Sequence, residues 1–204
     1  ANVITNIPLT LSMALGIALI PIIAEKYIMN RRDELESKVQ LSMKMAMLIA
    51  MPCTLGLYFL ADPIMKVIFP GRYDGILILK YLSISVPFII LTQTTTSIMQ
   101  GIGHYIRPII NLFIGCIVKV ILTFILVPMP EINIYGAVIA SISAYLVATI
   151  LNLISLRKRL KLRLNIYKSF IKPIIAASIM IIGVIFSYNL IYSNLWSLED
   201  LKIS

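Results

Sequence analysis

The chain has 204 residues, of which 59% are apolar and only 13% charged. A soluble domain is nearer half apolar and a quarter charged, so an ordinary soluble enzyme is excluded before any motif is read. Eighteen Lys and Arg face nine Asp and Glu, a net charge of +9, which on so apolar a chain points to a membrane protein with basic loops on its inner side rather than to nucleic-acid binding.

A helix needs about 20 apolar residues to cross a hydrocarbon core of about 30 Å. Six segments qualify: 3–24, 41–60, 76–99, 108–128, 132–156 and 171–193. None keeps a period of two for long, so a membrane β-barrel is excluded and helices are left to satisfy the backbone in lipid. The expected fold is all-α and integral to the membrane, with six transmembrane helices and no soluble domain.

The first segment carries no charge and holds Pro8. It begins without Met or a basic leader, so it does not read as a signal peptide. We expect the chain to be part of a larger polytopic protein. After it, Asn30 is placed to cap a helix with Asp33 in its first turn. Leu35, Val39, Met43 and Met47 recur every four residues, and Glu34 and Lys38 are spaced for an ion pair. The second helix is therefore expected to start near Arg31, before its apolar part, and to contain Pro52. Cys53 and Cys116 lie in separate apolar runs and read as buried small apolar side chains, not as a disulfide or metal site.

The third segment has Lys80 near its start, Pro87 inside it, and a polar run at its end. Gln93, Ser97 and Gln100 share one helical face, with Thr96 beside them. Such a face either lines a water-filled cavity or bonds to neighbouring helices. The fourth segment is interrupted by Lys119, 11 residues after Pro108. A midplane Lys costs about 2.5–3.5 kcal/mol on insertion scales and needs a cavity or a partner. Asn111, Gly115, Lys119 and Thr123 follow four-residue spacing. Two readings stay open: a cation lining a polar cavity and attracting an anionic group such as a diphosphate, or a Lys held by an acid or by carbonyls elsewhere in the full protein. In the fifth segment Gly136, Ala140, Ala144 and Ala148 form a small-residue stripe for close helix packing. Pro8, Pro52 and Pro87 are hinge candidates, since an interior proline frees a carbonyl and kinks a helix; bundles also tolerate such prolines without a role.

The loops sort by charge. The set 25–44, 100–107 and 157–172 carries 13 of the 18 cations, and the opposite set carries Lys66, Arg72, Lys80 and Lys202. The positive-inside rule puts the first set in the cytoplasm. The Arg157–Lys172 run, with leucines between its charges, is either an orientation-setting loop or a segment lying on an anionic inner leaflet. Tyr27, Tyr105 and Tyr167 fall at the inner interface, and Tyr73, Tyr81, Tyr135, Tyr192 and Trp196 at the outer one. Gly101–Ile102–Gly103 reads as a tight inner turn, and His104 as an interfacial loop residue. No carboxylate pair, His/Cys cluster or Ser/His/Asp set converges, so no catalytic residues, metal site or cofactor are expected.

Four phrases carry a resemblance: GIALIPIIAE (16–25), MPCTLGLYFLADPIMKVIFPGRYD (51–74), SIMQGIGHYIRP (97–108) and VKVILTFILVPMPEINIYGAVIAS (118–141). In this order they resemble the stage V sporulation protein B and polysaccharide-exporter branch of the multidrug/oligosaccharidyl-lipid/polysaccharide (MOP) flippase superfamily, to which the lipid II flippase MurJ is related. The match covers about residues 3–160. The resemblance implies helices eight to thirteen of a fourteen-helix member of a 12–14-helix family, most of its C-terminal bundle. Residues 1–160 would supply five helices of that lobe, and 161–204 a basic cytoplasmic linker and a further helix. It also implies a cell-membrane flippase exporting an undecaprenyl-diphosphate-linked oligosaccharide, a peptidoglycan precursor or another cell-envelope polysaccharide, by alternating access. The partners implied are the lipid-linked glycan, the bilayer and an N-terminal bundle of the same chain, with no nucleic acid. Lys119 matches the family's Lys in this span. With it, Asn111, Thr123, Gln93, Ser97 and Gln100 form the expected cavity-lining set. Two alternatives are an ion-coupled drug exporter, which usually needs a membrane-embedded carboxylate, and a non-transporting scaffold for cell-wall or spore assembly.

Overall fold

The computed structural model describes residues 2–68, 75–129, 134–160 and 171–187, with side chains from residue 8 onward. All regular structure among these residues is helical. The helices are α1 (Asn2–Ile28), α2 (Arg32–Phe59), α3 (Ala61–Ile68), α4 (Gly75–Ser83), α5 (Val86–Gly101), α6 (Ile106–Leu126) and α7 (Ile134–Leu160). A shorter apolar helix, α8, spans Ile171–Ser187. Tyr73, the 161–170 run with Tyr167, and residues 188–204 with Tyr192 and Trp196 lie outside the described residues.

By length and composition four helices can cross a membrane: Pro8–Ile28 of α1, then α2, α6 and α7. The expected third span is not one straight helix. It is α4 and α5, bent by 43° at residues 84–85, and the pair makes a fifth crossing if counted together. Pro87 therefore starts α5 rather than kinking a helix interior. It has no N–H to give the Ser83 carbonyl. The chain tightens instead: Ile84 and Ser85 donate N–H three residues back, to Tyr81 and Leu82. The Ser83 and Ser85 hydroxyls bond the Lys80 and Leu82 carbonyls at 2.7 and 2.6 Å. By contrast α1 runs unbroken through Pro8 and Pro21, and α2 through Pro52.

Two buried clusters hold the helices, one toward each end. Ile23, Leu35, Val39, Met43, Ile98, Met99, Ile102 and Leu156 join the C-terminal ends of α1, α5 and α7 to the start of α2. The cluster gathers the ends that carry the basic loops, as alternation of the loops requires. At the other end Ala46, Ala50, Leu57, Ala61, Met65, Leu79, Val86 and Ile90 join α2, α3, α4 and the start of α5. There Tyr81 meets Tyr135 edge-on at 5.9 Å, and Lys80 sits 4.7 Å from the Tyr58 ring. A Lys at a span's outer end is thereby held by an aromatic face. Helix α3 was not expected from the sequence; Lys66 pairs with Asp62 across one of its turns at 2.7 Å.

Helices α6 and α7 form the closest pair. A Cβ on Gly115 would come within 2.7 Å of the Ala144 carbonyl and 3.3 Å of Ala148. The expected stripe Gly136, Ala140, Ala144, Ala148 is buried throughout and continues through Asn152 and Leu156. On the far side of α6, Ile109, Phe113 and Phe124 are exposed, as suits a helix facing lipid or another helix. Helix α1 meets α5 where a Cβ on Gly101 would lie 2.9 Å from the Ile20 carbonyl.

The turn between α1 and α2 departs from expectation. Asn30 does not cap α2; it takes a left-handed backbone, φ 55°, and Arg31 is the residue before the helix. Asn tolerates that conformation better than most residues. Glu34 does not pair with Lys38 but with Lys26 at 3.0 Å and Arg31 at 3.1 Å, tying α2 to the end of α1.

Candidate functional site

Packing places α1, α5, α7 and α6 side by side in that order. Between α1 and α6 lies a cleft of about 750 Å³ with α5 and α7 as its floor. Four of the six expected site residues line it: Gln93, Ser97 and Gln100 on α5, and Lys119 on α6. Together these two helices bring one cation and three neutral polar groups to a common space.

Lys119 is exposed to the cleft and, among the described residues, has no side-chain partner. Gln93 is partly buried, and its Oε1 is buried without a hydrogen bond among the described residues. A buried carbonyl oxygen left unpaired costs about 1–3 kcal/mol, so this one is open to a donor from beyond the described residues.

Asn111 and Thr123 are not among the lining residues. At 100° per residue, Asn111 lies about 80° around the helix from Lys119, and this turns it toward α7. Its Nδ2 donates to Asn152 Oδ1 at 2.8 Å and lies 3.2 Å from Ser155 Oγ. The Thr123 hydroxyl is spent on the Lys119 carbonyl at 2.7 Å.

Asn111 instead joins a buried polar network that the sequence reading did not assemble. Asn152 Nδ2 reaches Thr95 and Thr96 Oγ1 at 3.2 and 3.3 Å. One turn away, Thr92 and Thr149 share a hydrogen bond at 2.8 Å, and Thr149 Oγ1 lies 2.9 Å from the Phe88 carbonyl. The network fastens α5, α6 and α7 together directly beneath the cleft. Asn152 is fully buried. Its signal was present, since it is the next four-residue step after Ala148.

The cleft also takes Ser12 from α1, Tyr145 from α7 and Cys116 from α6. Cys116 is exposed and Cys53 half-buried, both as free thiols, so neither is buried as expected. Cys53 packs against the edge of the second cluster, whereas Cys116 faces the cleft. Among the described residues no group of three or more His, Cys, Asp or Glu is placed to hold a metal ion. His104 stays in the α5–α6 turn, with Nδ1 3.0 Å from the Ile102 carbonyl.

Comparison with known proteins places these helices. The sequence model of the lipid II flippase MurJ family matches residues 1–204. Three proteins of Bacillus subtilis (strain 168) are similar. The uncharacterised membrane protein YabM is 25% identical over 185 residues, 91% of this chain and 34% of its own length. Stage V sporulation protein B is 23% identical over 169 residues, 81% and 32%. The lipid II flippase MurJ is 22% identical over 157 residues, 74% and 28%. The chain thus spans about a third of the length of these relatives. No solved structure matches it.

Proposed function

The chain belongs to the lipid II flippase MurJ family and is a multi-pass cell-membrane protein, and from that premise we propose that the protein moves an undecaprenyl-diphosphate-linked oligosaccharide across the membrane by alternating access. The chain contributes most of the C-terminal bundle of a 12–14-helix MOP-type flippase. Residues 1–160 form five crossings of that lobe, with α4 and α5 as one bent crossing, and 161–204 a basic linker and a sixth. The loops 25–44, 100–107 and 157–172 face the cytoplasm, and an N-terminal bundle closes the cleft from the other side.

One observation carries this reading: Lys119, without a side-chain partner among the described residues, faces from an apolar helix into a cleft of about 750 Å³ opposite Gln93, Ser97 and Gln100. A cation kept in a membrane span without a partner is held in reserve for a charge that arrives. A diphosphate brings such a charge, and the uncharged amides and hydroxyl offer hydrogen bonds to phosphate and sugar oxygens. Asn111 and Thr123 then act behind the surface, Asn111 by fixing α6 so that Lys119 faces the cleft. The bend at Pro87 serves as the hinge, whereas the unbroken helices at Pro8 and Pro52 give those residues a lesser part.

The test is transport of lipid II, and of a second lipid-linked glycan, by the intact protein in vesicles. Lys119→Met is expected to abolish flipping while expression and membrane insertion remain normal. Unchanged flipping by this variant would overturn the role of Lys119, and no transport of either lipid by the unmodified protein would overturn the function.

A further inference from the structure

A second pocket of about 480 Å³ lies at the basic-loop end of the bundle, remote from the cleft. We propose that it binds the headgroup of an anionic phospholipid of the inner leaflet. Its walls come from three elements: Lys26 and Ile28 at the end of α1, Arg31 and Arg32 at the start of α2, and Arg159 and Leu160 at the end of α7.

Charge accounting separates the four cations. Lys26 is taken by Glu25 at 3.2 Å and Glu34 at 3.0 Å, and Arg31 by Glu34 at 3.1 Å. Those two acids are thereby used up, and Asp33, the other acid in the first turn of α2, does not line the pocket. Arg32 and Arg159 are exposed and have no side-chain partner among the described residues. The dipole of α7 favours cations in its last turn and accounts for Arg157, Lys158 and Arg159 being there. It does not account for Arg159 sharing a pocket with Arg32, where like charges repel. The first turn of α2 adds the positive end of its own dipole to the same space, and Arg31 supplies no side-chain cap to it. An anion shared by the two arginines relieves both.

The apolar surroundings distinguish a lipid from a soluble anion. Ile28 is 82% and Met29 54% exposed beside the arginines. Apolar side chains bared next to cations at the end of a membrane helix match a molecule with an anionic head and an acyl body. Basic pockets between helices on the cytoplasmic side are where such headgroups bind. The inference needs only the membrane placement of the chain, not its transport role.

The experiment is native mass spectrometry of the intact purified protein with phosphatidylglycerol and phosphatidylcholine. Phosphatidylglycerol is expected to bind in preference. Arg32→Gln with Arg159→Gln is expected to weaken it about thirtyfold, taking the usual contribution of each surface cation. The control is Arg107→Gln with Lys158→Gln, the same loss of charge on the same side but outside the pocket, which should change binding by no more than about twofold. Equal weakening in both pairs would mean diffuse surface charge and overturn the site. Displacement of the lipid by glycerol 3-phosphate at equal concentration would mean a soluble-anion site and overturn the lipid. Should the double variant not fold, arginine modification of the unmodified protein by phenylglyoxal decides: phosphatidylglycerol must protect Arg32 and Arg159 and phosphatidylcholine must not.

Discussion

Two sets of polar side chains meet along α5, a buried network and the cleft beside it, with Thr92 and Thr96 on the border of both, and they are treated differently. On the side toward α6 and α7, Thr95, Asn152 and Asn111 are buried and bonded to one another. On the side toward the cleft, Gln93 has a buried unbonded oxygen and Lys119 has no partner among the described residues. Both sets are anomalous in an apolar chain, and composition cannot tell them apart. What separates them is satisfaction. A closed network makes helix packing specific, whereas open donors and acceptors leave bonds for something else to make. The first set builds the wall; under the proposed function the second faces what passes along it.

Substitution divides the two sets by which property fails. Lys119→Met carries the largest expected effect: flipping falls to background while the midpoint of thermal unfolding in detergent stays close to that of the parent. Asn152→Ala should do the reverse. It strips Asn111, Thr95 and Thr96 of a partner at once and should cost about 1–2 kcal/mol of stability, read by thermal or SDS unfolding. Any transport loss should follow the loss of folded protein. Should Asn152→Ala instead abolish transport in fully folded protein, the network is part of the pathway and the division collapses. The pair Asn111→Ala and Asn152→Ala sharpens the point. A double-mutant cycle should give a coupling of about 0.6 kcal/mol, and at most about 1.7, as for hydrogen bonds between other membrane helices. The same cycle between Asn111 and Lys119, on the stability of the protein, should give none.

Much of this arrangement was legible in the residues, and the failures share a cause. The stripe Leu35, Val39, Met43, Met47 is buried as spaced, and so is Gly136 to Ala148. Periodicity reports which residues share a face. It does not report which neighbour the face meets. Asn111 and Lys119 belong to one four-residue series, but that series drifts by about 40° at each step. Over two steps the drift turns Asn111 from the cleft to α7. The third span failed for another reason. Its hydropathy is continuous from residue 76 to 99, so nothing apolar marks a break, and Pro87 alone does not say whether a helix kinks or restarts. The hydroxyls of Ser83 and Ser85, which cap the preceding carbonyls, tip it toward a restart. The pairing of Glu34 failed because spacing within one helix cannot foresee Lys26 arriving from α1.

Gln93 gives the smallest effect in stability and the cleanest test of the comparison. Its Oε1 is buried and unbonded among the described residues, so within this bundle that oxygen loses its hydration without a hydrogen bond in return. Replacing Gln93 with Leu keeps most of the volume and removes the liability. Stability should therefore hold or rise, by up to about 1 kcal/mol, because removing an unsatisfied polar atom is neutral or favourable. Transport should fall, since the amide is then missing when the substrate needs it. A network residue cannot behave this way: loss of Asn152 harms folding first. Equilibrium unfolding and flipping measured on the same Gln93→Leu preparation would show it directly. A variant that is less stable than the parent would place Gln93 in the network, bonded to a group from the rest of the protein. One that is more stable and fully active would leave its polarity without a function. Only the opposed pair, firmer folding with weaker transport, marks a side chain kept polar for the sake of a ligand.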